Sequence, residues 1–289
     1  MCCPIETVFL GDVFIDGADL FGRCPDLLGG QSYWSISPAL PRDRTRGGVP
    51  IGFDDDASYV GGWQERLVRA VMAAPPELRH VGDIERFRYL TLLAVVRSPD
   101  LRLISVWNPT FLTILLERLP AWAEALARDL REDRRRSVVL QRALAARTAA
   151  ERHAVLWPRL GLVSCWTDAN AAGPAAYLSA LFPQARIQGK GLIATEGFVS
   201  FPLVGREGCA LAIRSHFLEF APVDSDGPAM DGDPRLAHEL DRGQRYAVIL
   251  STGGGLFRYR LHDVIEVVGS VRQCPLVRFV GRHHAVSDR

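Results

Sequence analysis

The sequence predicts an α/β protein: a mixed-sheet large domain with a β-rich subdomain. Two textures point to it. Helical periodicity fills much of the first half, and after Trp157-Pro158 the chain turns to short apolar runs bounded by Gly, Pro and Asp, the pattern of strands. Helix and strand in alternation, followed by mostly strands, suit a layered sheet better than a bundle. With 289 residues, 48% hydrophobic and 23% charged, the chain can bury a real core as one large domain or two ordinary ones.

The opening third, punctuated by Gly and Pro through Pro50, reads as loop and helix. Asp54-Asp55-Asp56 precede a helical stretch from Tyr59 to Ala74, and carboxylates placed there complement the free N–H groups of a helix start. Holding a divalent ion is the less common use of such a cluster. A second helix covers Ile84 to Val96, and a third opens on Asn108 as cap with Pro109 in its first position. An amphipathic helix from Pro120 to Arg136 ends in a mixed-sign run, read as a solvated face. Strands are expected at Leu162–Cys165, Arg186–Gln188, Leu192–Thr195, Ala210–Ile213, Phe217–Phe220, Tyr246–Leu250, Val264–Val268 and Val277–Val280, with one helix, Ala171 to Leu181, among them.

Thirty-four basic and thirty-three acidic residues leave a net charge of +1, without the cationic excess that a phosphate backbone requires, so no nucleic acid is expected as partner. No apolar run approaches the ~20 residues that span a bilayer, and no basic-then-apolar leader opens the chain. No membrane is therefore expected, and the location is read as cytoplasmic. Lys190 is the single lysine. The six cysteines, Cys2, Cys3, Cys24, Cys165, Cys209 and Cys274, form no C-x-x-C pair and no zinc spacing, and read as reduced thiols.

Gly189-Lys190-Gly191-Leu192-Ile193-Ala194 has the letters of a dinucleotide fingerprint, but its turn leads into a strand rather than the helix whose amides would meet a pyrophosphate. Ser251-Thr252-Gly253-Gly254-Gly255 lacks the lysine of a Walker loop and reads as a flexible connection. Two segments remain. Gln188 to Gly197 is a buried strand ending in a hydroxyl, a carboxylate and a glycine, Thr195-Glu196-Gly197. Gly255 to Asp263 packs two arginines, a tyrosine and an aspartate into a short turn beside a glycine loop.

At these residues the chain resembles the Gretchen Hagen acyl-acid amido synthetases, auxin-responsive ligases of plants with bacterial relatives, within the adenylate-forming superfamily. Blocks agree in order over about residues 26 to 286: Tyr33-Trp34-Ser35-Ile36-Ser37-Pro38, Val106 to Thr110, Leu156 to Leu160, Cys165-Trp166-Thr167-Asp168, Gly189 to Gly197, His216 to Phe220 and Tyr259 to Asp263. The resemblance implies an adenylate-forming large domain that activates a small carboxylic acid with ATP and Mg²⁺ and transfers it to an amino acid.

By the same resemblance, Thr195 and Glu196 meet the nucleotide and are read as catalytic, with Glu196 as ligand to Mg²⁺. Asp263 accepts hydrogen bonds from the ribose, Tyr259 and Arg260 shape its turn, and Arg282 reaches the ribose from a hinge. His262 stands where the family motif has glycine. Residues 1–32 show no phosphate loop of the family type, and the chain stops soon after the hinge. It is therefore expected to be truncated at both ends: residues 1–281 a partial large domain, residues 282–289 a hinge stub, the closing domain absent. A complementary polypeptide as partner, or a catalytically inactive remnant that binds nucleotide or acid or acts only as an interaction module, follows from that expectation.

Overall fold

A computed structural model describes residues 17–36, 71–224, 227–228 and 233–282. The Asp54-Asp55-Asp56 cap, most of the helix expected from Tyr59, Cys2 and Cys3 lie outside them. The chain forms two compact units.

One unit comprises residues 26–165 and 174–187. Its sheet runs in the order β1 (Gln31–Trp34), β2 (Leu101–Ser105), β3 (Leu162–Ser164), β4 (Arg186–Gln188), with β1 and β3 parallel to β2. Parallel strands covered on both faces need nearly continuous apolar sequence, and β2 supplies it with Leu101, Leu103 and Ile104, all buried. The helices are α1 (Ile84–Arg97), α2 (Pro109–Glu117), α3 (Ala123–Asp129), α4 (Arg134–Leu144), α5 (Ala149–Leu156) and α6 (Ala172–Leu181). Asn108 caps α2 through the Thr110 N–H, with Pro109 in its first turn, as the sequence predicts. Leu92, Val96, Leu112, Leu116, Leu126, Leu140, Trp157 and Phe182 join the strands in one core.

Two corrections concern this unit. The helix expected over Pro120 to Arg136 is broken: α3 ends at Asp129, and Asp133 restarts the chain by accepting the Arg136 N–H at 3.0 Å. An aspartate bonds free amides at a helix start better than it tolerates a helix interior, so capping chemistry overrides amphipathic periodicity. Arg136, read as part of a solvated face, is buried. Its Nε donates to the Val96 carbonyl at 2.7 Å and its Nη1 to the Leu156 carbonyl at 3.3 Å, in the last turns of α1 and α5. Both β1 and β2 fall in the helix-dominated first half, where the sequence predicts no strand, because four or five residues are too few to establish a period.

The other unit comprises residues 1–25, 166–173 and 188–289. Its strands are the hairpin β5 (Ile193–Ala194) and β6 (Gly197–Phe198), then β7 (Ser200–Pro202), β8 (Cys209–Leu211), β9 (Phe217–Asp224), β10 (Gly227–Pro228), β11 (Arg245–Ser251), β12 (Tyr259–Val271) and β13 (Cys274–Arg282). The last seven form one sheet in the order β10-β9-β11-β12-β13-β8-β7, antiparallel throughout. Leu218, Phe220, Tyr246, Val248, Leu250, Leu261, Ile265 and Val267 share its main core. Among the described residues no helix is long and apolar enough to cross a membrane. Cys24, Cys165, Cys209 and Cys274 are not in disulfides, and Cys165 and Cys209 are buried.

Candidate functional site

Every residue singled out by the two unexplained segments lies in the β-rich unit. Tyr259 to Asp263 are not a turn: they are the first five residues of β12, which begins five residues earlier than the run Val264–Val268 suggests. Along β12 the alternating positions Tyr259, Leu261, Asp263, Ile265 and Val267 fall on one face, and Leu261, Ile265 and Val267 belong to the main core. Asp263 therefore occupies a core-facing register position, and it is only 4% exposed. A carboxylate there costs desolvation unless it is partnered.

Arg282, at the end of β13, is that partner. The two residues pair across the strands, and Arg282 Nε donates to Asp263 Oδ1 at 2.9 Å. Burial pushes the Asp263 carboxyl above the ordinary carboxylate range, the Arg282 guanidinium opposes that, and the charge of Glu196 adds to the rise. Glu196 thus lies close enough to Asp263 to be felt electrostatically.

Thr195 and Glu196 are the two turn residues of the β5–β6 hairpin, with Ala194 paired to Gly197. The strand expected to end there is only two residues long, and it presents the hydroxyl and carboxylate at a tight tip. Two glycines permit this. Gly191 holds φ at +77°, and a Cβ there would stand 2.2 Å from the Ser200 carbonyl oxygen. A Cβ on Gly197 would meet His216 at 2.9 Å and Leu250 at 3.6 Å, so its absence seats the hairpin against the main sheet. Tyr259 then reaches across, its hydroxyl donating to Glu196 Oε1 at 3.4 Å.

The structure brings Glu196, Tyr259, Asp263 and Arg282 together, with Thr195 beside Glu196 on the tip. Arg260 begins from the other face. It pairs with Ile249, which pairs in turn with Glu219, whereas Tyr259 is in the row of Leu250 and Leu218. His262 takes φ 63°, the left-handed conformation that favours glycine. The histidine therefore keeps the backbone that the glycine of the motif would have. Around it three residues of β12 oppose the single Val248 between the pairs 247–264 and 249–260, a bulge that re-aims the strand beside the site.

Three features escaped the sequence. Asp168 accepts the Phe279 N–H at 3.2 Å and so ties segment 166–173 to β13 near Arg282; burial raises its carboxyl. His216 lies against Gly197. Arg258, at φ 46°, forms a two-pronged ion pair with Glu219, with both N–O distances at 3.0 Å. All three depend on partners 39 or more residues away or on a close backbone approach, which no local pattern encodes.

The described residues would hold a metal only in part. Among the described residues no group of three or more His, Cys, Asp or Glu side chains is arranged for an ion. Glu196 offers one hard oxygen, which fits Mg²⁺ because that ion commonly takes one or two carboxylates and completes its shell with water and phosphate oxygens.

Comparison with known proteins follows the same lines. Residues 209–282 match the family model described as the GH3 family central domain. The GH3 domain-containing protein of Homo sapiens is 28% identical over 200 residues, 66% of this chain and 38% of that protein. The indole-3-acetic acid-amido synthetase GH3.8 of Oryza sativa subsp. indica is 38% identical over 73 residues, 24% of this chain and 12% of that protein. A solved structure of GH3.15 acyl acid amido synthetase aligns with a TM-score of 0.80 at 13% identity, over 98% of this chain and 54% of that one. The chain thus spans about half the length of that structure and less of the curated relatives. Strands β8 to β13, which carry Tyr259, Asp263 and Arg282, match the central domain of the GH3 family, and the mixed α/β fold is shared with the solved GH3.15 acyl acid amido synthetase.

Proposed function

We propose that this chain provides the nucleotide-handling part of an ATP-dependent acid–amino acid ligase. The observation that carries this reading is the convergence, from separate elements, of a tip carboxylate, Glu196, and a buried carboxylate, Asp263, with Tyr259 on the first and Arg282 on the second. A buried carboxylate on a core-facing strand position, held by an exposed guanidinium, is costly for the fold and well suited to accept hydrogen bonds from paired hydroxyls such as those of ribose. The names of the similar proteins, indole-3-acetic acid-amido synthetase and acyl acid amido synthetase, support an acid and an amino acid as substrates.

In the proposed reaction a carboxylate oxygen of the acid attacks the α-phosphorus of ATP and pyrophosphate leaves; the amine of the amino acid then displaces AMP. Asp263 and Arg282 hold the nucleoside, Tyr259 fixes Glu196, and Thr195 and Glu196 face the phosphates. Arg260, from the other face, adds cationic charge near the strand start. Glu196 would hold Mg²⁺, which supplies neutralisation of the polyphosphate charge. Orientation and charge neutralisation are the main demands, since the two reactants repel each other.

Titration calorimetry with AMP, together with ATP–pyrophosphate exchange over a panel of aryl and indolyl acids, tests the proposal. AMP binding that Asp263→Ala abolishes, with exchange for at least one acid, is the expected result. Binding without exchange for any acid would convert the reading to a nucleotide-binding remnant. No heat at millimolar AMP would end the nucleotide reading.

A further inference from the structure

We infer that the Arg258–Glu219 ion pair is a positioning device for this site, acting through Tyr259; the inference rests on the nucleotide reading above and deepens it. Arg258 holds a left-handed φ of 46°, a conformation that non-glycine residues keep only where their surroundings impose it. Three bonds impose it here. The Arg258 N–H donates to Ser251 Oγ at 2.9 Å, Nε donates to Glu219 Oε2 at 3.0 Å, and Nη2 lies 3.0 Å from Glu219 Oε1. The Glu219 side chain is 14% exposed, so both its oxygens are largely withdrawn from water and given to one planar guanidinium.

The pair spans β11, joining β9 to the residue just before β12. Between Ser251 and Arg258 the chain runs through Gly253-Gly254-Gly255, which has no side chains to stiffen it. The Thr252 N–H bonded to the Leu256 carbonyl at 2.9 Å closes one end of this connection, and the Arg258–Glu219 pair fixes the other. Successive strand residues point to opposite faces. Glu219 shares the row of Ile249 and Arg260, so the pair anchors Arg258 to that face, while Tyr259, in the neighbouring row of Leu250 and Leu218, takes the opposite one, where its hydroxyl meets Glu196. Loss of the pair frees the backbone at residue 258 and with it the ring that orients Glu196. Arg258 is thereby assigned to positioning, in contrast to Arg282 on Asp263.

A double-mutant cycle read by AMP calorimetry tests this. Glu219→Gln and Tyr259→Phe are each expected to weaken AMP binding about tenfold, and the double variant no more than the weaker single, because contacts acting in series are not additive. A purely structural pair would leave the two costs independent. Native AMP affinity in Glu219→Gln, or a double variant in which the two losses multiply, overturns the inference. Should Glu219→Gln lose its folded circular dichroism signal, Arg258→Lys replaces it in the cycle: it keeps the charge and removes the two-pronged geometry, with the same expected result. Absence of AMP heat with the native chain would sink the nucleotide reading and this inference together, whereas normal native binding with an unaffected variant sinks the inference alone.

Discussion

Asp263 shows most directly how the proposed site strains the fold at a single residue. Its neighbours along the strand face are Leu261 and Ile265, and its own carboxyl is driven above the usual range by burial. A carboxyl whose folded pKa is raised costs nothing below its ordinary pKa and destabilises the fold as pH rises through the raised value. At neutral pH, Asp263→Asn is therefore expected to unfold no earlier than the native protein in a thermal melt, while AMP binding falls at least about tenfold. Arg282 does not reverse this sign, because its side chain is 57% exposed and stays hydrated when unpaired. At His262, with φ 63°, His262→Gly is expected to lie within about 1 kcal/mol of the native stability, whereas His262→Val loses more, since a β-branched side chain clashes in the left-handed region. Urea unfolding of the two variants makes that comparison.

Among the elements, the β5–β6 hairpin and the α1–α4–α5 junction are each governed by one residue. Gly191 lets the hairpin leg pass the Ser200 carbonyl, and Leu192 N–H donates to Ser200 Oγ at 2.9 Å. Gly191→Ala adds a methyl 2.2 Å from that carbonyl oxygen at a φ of +77°, so a loss of about 2 kcal/mol or more is expected together with displacement of Glu196. Weaker AMP binding in calorimetry would register the displacement. In the other unit, the Arg136 guanidinium satisfies carbonyls of two helix ends that have no intrahelical partner. Arg136→Met keeps most of the stem's packing but leaves those oxygens buried without a donor, and should cost about 2–4 kcal/mol in urea unfolding.

The acid response of the whole chain is expected to come largely from the unit that lacks the candidate site. His153 is 2% exposed, its ring is stacked 4.9 Å from that of Phe182, and Nδ1 lies 3.2 Å from the Leu181 carbonyl oxygen. Burial depresses its pKa from 6.5 to about 4, and the Arg152 charge acts in the same direction. The neutral ring is favoured in the fold, so the stability it confers is complete above pH 6.5 and is lost as pH falls towards 4, by about 3 kcal/mol in total. His153→Phe, which keeps the stacking and cannot be protonated, should flatten the urea midpoint between pH 7 and pH 5. An unchanged slope would assign the acid sensitivity to other groups.

By itself the sequence determined the α/β class, the Asn108 cap followed by Pro109, the β-rich second half, and the family-like segments around Glu196 and Asp263. These follow from short-range rules: period, cap chemistry, glycine and residue type along a few consecutive positions. The anomaly of Asp263 was also legible in principle, because a carboxylate interrupts an apolar series at every second residue. Tertiary structure decided the rest. It broke the Pro120–Arg136 helix, buried Arg136, turned the apparent loop at Tyr259 into a strand, and joined Glu196 to Tyr259 and Arg258 to Glu219. Those outcomes depend on which distant groups become neighbours when the core closes, and the energy of a desolvated charge or a left-handed residue is set by such neighbours rather than by adjacent letters.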